Sequence, residues 1–398
     1  MASLNMSLRQ RLSGLIDDLK GERAVRKRNS AYNNVLITMP WMTFGGAETL
    51  VYNYCQEIKD ELNITFMTGL PSENEWEHKF RQITSDIYHL PEVSSDPAKQ
   101  LDFVSKYIKK HDVQILHIVH NGFMFAMLPT LKKRYPHLKV ILTLFNDRVP
   151  EYVDGALTYE KYIDKYVSDN KTVATSIGSR LKSQKNFVVI PNGINAYQDF
   201  NPELFSRQEQ RENLGLETDD IAIFFVGRLS PEKNPDVFIE AAKLSIKKNQ
   251  KKNLKFFLIG DGNMKNRVQE MLTNDDSGQI QWLGYQERIA KYLAAADIFV
   301  LPSSIEGFPL SILEAMSMGV AIIASDVGAV SEIVESSVDG YVVTPGSSAE
   351  IANKIQTLAS DNSLLESMKS RVREKVEKKY SNKILKQNYE KLYEGVIK

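Results

Sequence analysis

The sequence has one cysteine, no long apolar run and no excess of charge of either sign, and each absence excludes a class of protein. The single Cys55 cannot form an intramolecular disulfide, and no Cys/His cluster has the spacing of a zinc site. The 50 basic and 50 acidic residues cancel, so the chain lacks the positive field of a general nucleic-acid binder. We therefore expect no nucleic-acid partner, no structural metal and a buried helical position for Cys55.

The absence of a run of about 18 apolar residues, together with the lack of a secretory signal pattern, predicts a cytoplasmic protein. Residues 1–30 differ from the rest, because leucines recur at helical spacing from Leu8 to Leu19 and a basic stretch from Lys20 to Arg28 follows. This pattern is typical of an amphipathic anchor at the inner face of the cell membrane. A helix that packs on the protein itself, or on a second subunit of a homo-oligomer, would have the same pattern.

Short apolar segments alternate with helical segments in two successive series along the 398 residues. The first series predicts strands at 34–40, 64–70, 114–120, 140–145 and 187–190. The second predicts strands at 221–226, 255–259, 280–283, 298–301, 321–324 and 341–343. Continuous apolar strands separated by helices indicate parallel sheets that are covered on both faces. Because the chain exceeds the usual size of one core, we predict an α/β protein with two doubly wound, Rossmann-like domains.

A Pro-Asn-Gly turn at 191–193 and the polar stretch after it mark the linker between the two series. The predicted organisation is an N-terminal tail over 1–30, a first domain over 31–197, a second domain over 198–380 and a C-terminal helical segment over 381–398. Ligands of doubly wound sheets bind beyond the carboxyl ends of the strands. The residues that directly follow predicted strands are therefore the candidates for chemistry.

Gly45 and Gly46 follow the first predicted strand and open a helix. Two glycines there let backbone N–H groups approach an anion, which the positive end of the helix dipole also attracts. A plain turn before a helix would have the same sequence. The pattern is neither the three-glycine dinucleotide fingerprint nor a P-loop, which disfavours a dehydrogenase or a kinase.

In the second series, Arg228 and Lys233 follow the strand at 221–226. A guanidinium fork and an ammonium point charge together suit a diphosphate, whereas the alternative is a solvated basic loop. Gly260 and Asp261 follow the next strand in a glycine turn. That turn is compatible with a close ligand or with an ordinary connection from strand to helix.

The sharpest signal runs from Glu306 to Glu314, after the strand at 298–301. Pro309 is expected in the first turn of a helix, which places Glu306 in the loop and Glu314 within the helix. The first-turn N–H groups of Leu310 and Ser311 are then free to meet a ligand. Glu314 is the one carboxylate of an apolar helix, and it needs a partner if buried; ligand hydroxyls would serve.

Together these motifs resemble those of the GT-B glycosyltransferases of family 4, from the first strand to about Tyr380. The spacing of Glu306 and Glu314 matches that family's E-x7-E element. The other matching elements, in the family's order, are Gly45-Gly46, His120, Pro191-Asn192-Gly193, Arg228 with Lys233, and Gly260-Asp261-Gly262. The resemblance implies two Rossmann-like domains facing across a cleft and a metal-independent transfer with retention. The donor implied is a nucleotide diphosphate sugar, with UDP preferred over GDP or ADP, that carries a hexosyl or N-acetylhexosaminyl group.

The resemblance also implies roles for individual residues. Arg228 and Lys233 would hold the diphosphate, and Glu314 would bind the ribose hydroxyls. The full donor-binding set that it implies is Gly45, Gly46, Arg228, Lys233, Gly260, Asp261, Gly307, Phe308, Leu310, Ser311 and Glu314. Catalysis is assigned to His120 beside the reacting carbon, to Glu306 on the sugar hydroxyls, and to the two cations that stabilise the leaving diphosphate.

A glycan, a lipid-linked sugar or a protein in cell-envelope or polysaccharide biosynthesis would be the acceptor, and the last helix would return to the N-terminal domain. Three other functions are compatible with parts of the pattern. A nucleotide-sugar 2-epimerase grips a diphosphate in a similar way, but the two glutamates favour transfer. A noncatalytic nucleotide-sugar-binding subunit would not need the full set of site residues, and a dinucleotide oxidoreductase lacks its fingerprint.

Overall fold

The computed structural model describes residues 33–43, 45–183, 187–248 and 254–397. Contacts divide the chain into two compact units. The first contains the chain up to Asp169, then Val173–Ile190 and the residues from Lys386 onward, and the second contains Asn170–Thr172 and Pro191–Leu385. The tail over 1–30, for which the sequence predicts an amphipathic helix, lies outside the described residues.

The first unit contains a seven-stranded sheet in which every neighbouring pair of strands is parallel. Its strands β1 to β7 are Asn34–Met39, Asn63–Thr68, Ile87–His89, Ile115–Val119, Lys139–Thr143, Lys165–Ser168 and Phe187–Val189. Their order across the sheet is β3-β2-β1-β4-β5-β6-β7. The sequence prediction missed β3 and β6, because they are three and four residues long and carry polar side chains.

The second unit contains a six-stranded parallel sheet built on the same plan. Its strands β8 to β13 are Ile221–Val226, Leu254–Ile259, Ile280–Trp282, Ile298–Leu301, Ala321–Ser325 and Gly340–Val343. Their order is β10-β9-β8-β11-β12-β13. The predicted α/β class with two doubly wound parallel sheets is therefore confirmed.

Helices connect the strands of both sheets. Helices α1 to α7 are Gly46–Ile58, Glu77–Phe80, Leu90–Val93, Pro97–Lys110, Leu128–Arg134, Pro150–Thr158 and Lys171–Gly178. Helices α8 to α16 are Arg207–Asn213, Pro235–Lys248, Lys265–Thr273, Ile289–Leu293, Leu310–Ser317, Val330–Ile333, Ser348–Ser360, Asn362–Lys379 and Asn382–Ile397. Segments of 3₁₀ helix lie at Gly122–Met127, Glu160–Tyr162, Pro202–Leu204 and Pro231–Lys233. None of the described helices has both the length and the apolarity needed to span a membrane.

Strand β8 explains why both faces of the second sheet are covered. Its six residues are all buried and alternate between two separate hydrophobic clusters. Phe224 packs in the cluster on one face with Phe257 and Phe299, whereas Phe225 packs on the other face with Phe256. Because side chains alternate across a strand, a continuous apolar run feeds both layers of helices.

Helix α16 contributes to the core of the first unit through its tyrosines. The Tyr389 ring stacks on Tyr54 at a centroid distance of 3.8 Å, and the Tyr393 hydroxyl lies 2.8 Å from Nδ1 of His117. Burial lowers the pKa of His117 to about 3, so this histidine is neutral at physiological pH. His117 and Cys55 are both fully buried, which confirms the interpretation of each as a core residue.

Candidate active site

Each sheet has one place where the chain leaves two adjacent strands in opposite directions, and this is where doubly wound sheets bind ligands. In the first sheet it lies between β1 and β4, and in the second between β8 and β11. Most of the predicted site residues follow these strands, and Gly260 and Asp261 follow the adjacent strand β9. Gly45, Gly46 and His120 belong to the first unit. The other predicted residues, from Arg228 to Glu314, belong to the second.

In the second unit, Lys233 and Glu306 form a two-point ion pair. The Lys233 Nζ lies 2.7 and 2.9 Å from the two carboxylate oxygens, and the side chains are 24% and 7% exposed. The loops that carry them are tied together nearby, since Asn234 Nδ2 donates to the Pro302 carbonyl. Asn234 itself has a left-handed φ of 50°, which asparagine tolerates better than most residues. Two residues 73 positions apart are thus held at one point of the sheet edge.

Glu314 lies in the second turn of α12 among buried apolar neighbours such as Leu313 and Met316. Its carboxylate has no hydrogen-bond partner among the described residues, and burial raises its pKa to about 7. A carboxyl group in that position gains most from ligand hydroxyl groups, which can satisfy its oxygens. The arrangement therefore fits a site for a diol such as a ribose.

Helix α12 begins one residue later than the sequence predicts. Pro309 was expected in its first turn, but Pro309 is the N-cap residue, with an extended ψ of 100°, and the helix starts at Leu310. The Pro309 carbonyl accepts the N–H of Ile312, so the proline closes the first turn from outside. Leu310 and Ser311 therefore occupy the first two helical positions, where N–H groups have no intrahelical acceptor.

Arg228 lies in the loop after β8, is exposed and makes no ion pair with any residue in the described ranges. Hydrogen bonding from Ser230 lowers the pKa of Glu232, and the charges of Arg228 and Lys233 act in the same direction. An unpaired guanidinium in the loop that also carries Lys233 leaves that loop able to bind an anion.

The loop after β9 requires a glycine at position 260, because the neighbouring loop lies against it. Gly260 has a φ of 141°, and a Cβ there would lie 1.9 Å from the Gly227 carbonyl oxygen. The Asp261 carbonyl accepts the N–H of Leu229, and the Trp282 indole donates to the Gly260 carbonyl. Gly260 and Asp261 thus pack against the Arg228 loop and fix its path.

On the other side of the Glu306 loop, Gly328 has a φ of 56°, and a Cβ there would lie 2.4 Å from the Glu306 carbonyl oxygen. Ala329 donates its N–H to the Gly307 carbonyl. Gly307 and the adjacent Phe308 are partly buried. Gly328 and Ala329 therefore pack against the backbone of Glu306 and Gly307 and fix the position of this loop.

In the first unit, His120 has a left-handed φ of 48°, which is uncommon for a residue with a side chain. Its ring stacks on Phe145 at 5.6 Å and meets Tyr152 edge-on at 4.1 Å. Burial lowers its pKa to about 4, so the imidazole is neutral at pH 7. Nδ1 is buried without a partner, and Nε2 lies 3.4 Å from Asn146. A strained, neutral histidine with an unsatisfied ring nitrogen fits a ligand-binding role.

Gly45 is the N-cap residue of α1 and Gly46 is its first residue. A Cβ on Gly46 would meet nothing within 4 Å, whereas one on Gly45 would lie 2.1 Å from a carboxylate oxygen of Glu48. Glu48 is 6% exposed, and burial raises its pKa. Sequence reasoning missed Glu48, although its place three residues after the N-cap Gly45, in the first turn of a helix, is a recognisable N-terminal signal.

No group of three or more His, Cys, Asp or Glu side chains within the described ranges is arranged to hold a metal ion. The charged groups of the candidate site are instead the cations Arg228 and Lys233 with the carboxylates Glu306 and Glu314. In general, cations and free helix N–H groups suit an anion, whereas carboxylates with open acceptor oxygens suit hydroxyl groups.

Comparison with known proteins shows the family to which this chain belongs. Residues 206–375 match the family model described as glycosyl transferases group 1. The Campylobacter jejuni N,N'-diacetylbacillosaminyl-diphospho-undecaprenol alpha-1,3-N-acetylgalactosaminyltransferase is 32% identical over 365 residues, which cover 86% of this chain and 93% of that protein. The Escherichia coli UDP-Gal:alpha-D-GlcNAc-diphosphoundecaprenol alpha-1,3-galactosyltransferase is 33% identical over 190 residues. That match covers 47% of this chain and about half, 49%, of the relative.

The fold also matches solved structures. The crystal structure of Anabaena Alr3699/HepE in complex with UDP and glucose superposes with a TM-score of 0.73 at 18% identity, covering 92% of this chain and 100% of that one. At this identity the likeness concerns the fold alone, which is the GT-B arrangement of two Rossmann-like sheets. The Campylobacter protein is similar to this chain over most of its length, and the second unit matches the family model. The chain therefore belongs to the group 1 glycosyltransferases.

Proposed function

We propose that this chain transfers a hexosyl or N-acetylhexosaminyl group from a UDP-sugar to a lipid-linked sugar acceptor, with retention and without a metal ion, as in family 4. The observation that carries the proposal is the Lys233–Glu306 ion pair at the point of the sheet where ligands bind, followed along the chain by the helix that carries Glu314. It combines a cation for a phosphate with two carboxylates for hydroxyl groups.

The donor would be held by the second unit. Arg228 and Lys233 contact the diphosphate, the first-turn N–H groups of Leu310 and Ser311 add donors, and Glu314 accepts from the ribose hydroxyls. Of the three hydrogens of the Lys233 ammonium, two can point at the Glu306 oxygens 2.7 and 2.9 Å away. The third is then available for a phosphate oxygen. The remaining donor-side residues of this unit are Gly260, Asp261, Gly307 and Phe308, and Gly45 and Gly46 are donor-side candidates that belong to the first unit.

The chemical step breaks the bond between the anomeric carbon and the diphosphate oxygen and forms a bond to the acceptor oxygen on the same face. The acceptor proton passes to an oxygen of the departing diphosphate. Arg228 and Lys233 stabilise the negative charge that develops on the leaving group, which is the task of a metal in other transferases. Glu306 accepts hydrogen bonds from the transferred sugar. Neutral His120 offers a ring nitrogen to a sugar hydroxyl.

The relatives support the choice of acceptor. The names of both the Campylobacter and the Escherichia coli protein give a sugar on diphosphoundecaprenol as acceptor and an alpha-1,3 linkage as product. UDP-Gal is the donor in the name of the second. We infer an acceptor of the same chemical class for this chain, namely a sugar on a polyprenyl diphosphate. The HepE structure, which has UDP and glucose bound, shares the fold of this chain.

An acceptor of this kind is embedded in a membrane, and residues 1–30 carry the sequence pattern of a peripheral anchor. We propose that this segment binds anionic bilayers. Co-sedimentation with liposomes tests the segment, with the full chain compared with a chain that lacks residues 1–30. Weaker binding of the shortened chain supports the role, and equal binding by both contradicts it.

A matrix of donors and acceptors tests the function. The purified chain is incubated with UDP-Gal, UDP-GalNAc, UDP-Glc and UDP-GlcNAc, each with a short-chain prenyl diphosphate sugar, and products are identified by mass spectrometry. We expect a mass increase of one hexosyl or N-acetylhexosaminyl group with equimolar UDP release. Conversion of the donor to its 2-epimer, or UDP binding without any transfer, would replace this proposal with an epimerase or a noncatalytic subunit.

A further inference from the structure

The loop between β5 and α6 carries Asn146, whose side-chain amide faces His120. Oδ1 of Asn146 accepts the backbone N–H groups of Arg148 and Val149, at 3.2 Å each. Nδ2 of the same amide lies 3.4 Å from Nε2 of His120. The two ends of one side chain therefore make different contacts: the oxygen holds the loop before α6, and the nitrogen meets the imidazole.

The backbone contacts fix which end of the Asn146 amide faces the histidine. The two ends of an asparagine amide are similar in shape, so their assignment has to come from their hydrogen-bond partners. A backbone N–H group can only donate, so the end that meets Arg148 and Val149 is the oxygen. The end that faces His120 is then the NH₂ group, which can only donate.

A donor at this position fixes the place of the imidazole proton. A neutral imidazole has one protonated nitrogen and one nitrogen with a lone pair. Because Asn146 presents an N–H group to Nε2 of His120, Nε2 has to carry the lone pair, and the proton lies on Nδ1. A charged imidazolium would place two donors against each other, and burial also opposes the charge, since it lowers the pKa of His120 to about 4.

The proton on Nδ1 of His120 has no acceptor among the described residues. Nδ1 is buried without a hydrogen-bond partner, and the rings of Phe145 and Tyr152 contact the imidazole. A buried donor without an acceptor is destabilising. The oxygen of a ligand that reaches Nδ1 would remove this cost, so the arrangement favours a ligand group that accepts a hydrogen bond.

We propose that Asn146 is a positioning residue that holds His120 in the tautomer protonated at Nδ1, so that His120 donates a hydrogen bond to a ligand oxygen and does not act as a base. The Nε2 lone pair is occupied by Asn146, and the protonated Nδ1 has no lone pair to offer. The role toward a ligand rests on the proposed contact of His120 with the transferred sugar. The tautomer itself is a property of the chain without ligand.

The variant Asn146→Asp separates the two contacts of this side chain. A carboxylate keeps an oxygen for the N–H groups of Arg148 and Val149, so the loop should stay intact. It replaces the NH₂ group that faces Nε2 of His120 by an acceptor, which favours a proton on Nε2 and leaves the lone pair on Nδ1. Because the new carboxylate also raises the pKa of His120, the variant is studied at pH 8, where we expect a neutral ring.

NMR of the chain without ligand tests the tautomer directly. The chain has six histidines, and His120→Asn removes one set of imidazole signals and thereby identifies it. Long-range ¹H–¹⁵N spectra distinguish a protonated ring nitrogen from one with a lone pair by its ¹⁵N shift. We expect a protonated Nδ1 in the wild type and a protonated Nε2 in Asn146→Asp. A wild-type His120 that is protonated at Nε2 would overturn the inference.

Kinetics test the role of the Nδ1 proton. Loss of one hydrogen bond to the sugar in Asn146→Asp should lower kcat/KM about 10-fold at pH 8. Affinity for UDP, which lacks the sugar, and the unfolding midpoint should stay near their wild-type values. Wild-type kcat/KM in this variant, with the proton moved to Nε2, would contradict donation from Nδ1.

Asn201→Asp is the matched control for the introduced carboxylate. Oδ1 of Asn201 also accepts a backbone N–H group at the start of a helical turn, that of Glu203, but its Nδ2 lies against the Tyr197 carbonyl oxygen and not against a histidine. This variant should keep kcat/KM. Failure of the inference and failure of the proposed function give different results. A chain with Nδ1 of His120 protonated that transfers no sugar would contradict the proposed reaction and leave the tautomer standing.

Discussion

Lys233 and Glu306 are joined by a two-point ion pair, with the Lys233 Nζ 2.7 and 2.9 Å from the two carboxylate oxygens. They lie in loops that follow β8 and β11, the two strands between which the second sheet changes direction. The pair holds the ammonium in place, and in the proposed function this reduces the entropy cost of ordering a flexible lysine at the donor phosphate.

Breaking this pair should reduce both stability and turnover. Lys233→Met leaves the nearly buried Glu306 carboxylate without its counter-charge and should lower the free energy of unfolding by about 1 to 3 kcal/mol. That is below the range for a fully buried pair, because 24% of the Lys233 side chain is exposed. Turnover should also fall, because the variant loses about 2 to 4 kcal/mol of transition-state stabilisation. Denaturant titration and kcat/KM measure the two effects.

A double variant and a control pair separate these effects. Lys233→Met with Glu306→Gln removes both charges and should recover stability but not turnover. Lys375 pairs with Asp339 in the same unit at similar burial. Lys375→Met should therefore lose stability and keep kcat/KM. Wild-type kcat/KM in Lys233→Met would contradict the site.

Glu314 should make both stability and nucleotide affinity depend on pH. Its folded pKa of about 7 lies above the ordinary value of 4.5, so the folded state binds the extra proton between these values. Stability contributed by Glu314 is then lost as pH rises from 4.5 to 7, by up to about 3 kcal/mol. Glu314→Gln should not show this loss, and thermal unfolding at pH 5 and pH 8 compares the two proteins.

UDP affinity should change in the opposite sense. Ribose hydroxyls donate to the ionised Glu314 carboxylate, so UDP binding should release a proton near pH 7, and affinity should rise through that pH. Calorimetry in buffers of different ionisation enthalpy detects the proton. Comparison with Glu314→Gln corrects for the protons that UDP itself binds or releases. The affinity of this variant for UDP should be lower than that of the wild type. Equal affinity and equal proton release in the wild type and the variant would contradict the ribose contact.

His120 should contribute to acid sensitivity. Its folded pKa of about 4 lies below the ordinary 6.5, so the unfolded chain binds more protons between these values. Stability is thus lost as pH falls from 6.5 to 4, by at most about 3 kcal/mol for this residue. His120→Asn suits the left-handed backbone and should remove that part of the loss. The unfolding midpoints of the wild type and the variant at pH 4.5 and pH 7 test this prediction. If the difference between the two pH values is the same in both proteins, His120 does not contribute to acid sensitivity.

Gly46 offers a test in which stability and function should move apart. A methyl group at Gly46 meets no protein atom, and the position is helical, so Gly46→Ala should unfold at the same or a higher temperature. Turnover should nevertheless fall if a ligand approaches that backbone. Gly395→Ala, in α16 with equally open space, should stabilise the chain and leave turnover intact. Full activity of Gly46→Ala would remove Gly46 from the site.

The sequence predicted the fold class and most strands because parallel sheets leave a clear signal. Strand β8 and strand β11 are continuous apolar runs, and their predicted bounds agree with the structure. The missed strands β3 and β6 have three and four residues with polar ends, and they exist through pairing with β2 and with β5 and β7. Short strands of that kind are specified by their neighbours in the sheet.

The sequence indicated the individual residues of the candidate site, but it did not indicate which of these residues contact each other. Motif spacing located Lys233 and Glu306 without indicating that they bind each other across 73 positions. The fold brings them together, because the chain returns to β11 beside β8 after two further strands. Glu48 was missed for a related reason, since only the position of its carboxylate against Gly45 distinguishes it from any acidic first-turn residue.

The most direct test of the proposed activity follows the reaction by ¹H NMR with EDTA present. The purified chain is mixed with an α-configured UDP-sugar and a short-chain prenyl diphosphate sugar, and the anomeric resonances are observed over time. The account predicts that the donor's α-anomeric resonance declines while a new α-anomeric resonance of the product appears at the same rate. A β-configured product, or no new anomeric resonance until a divalent metal is added, would contradict it.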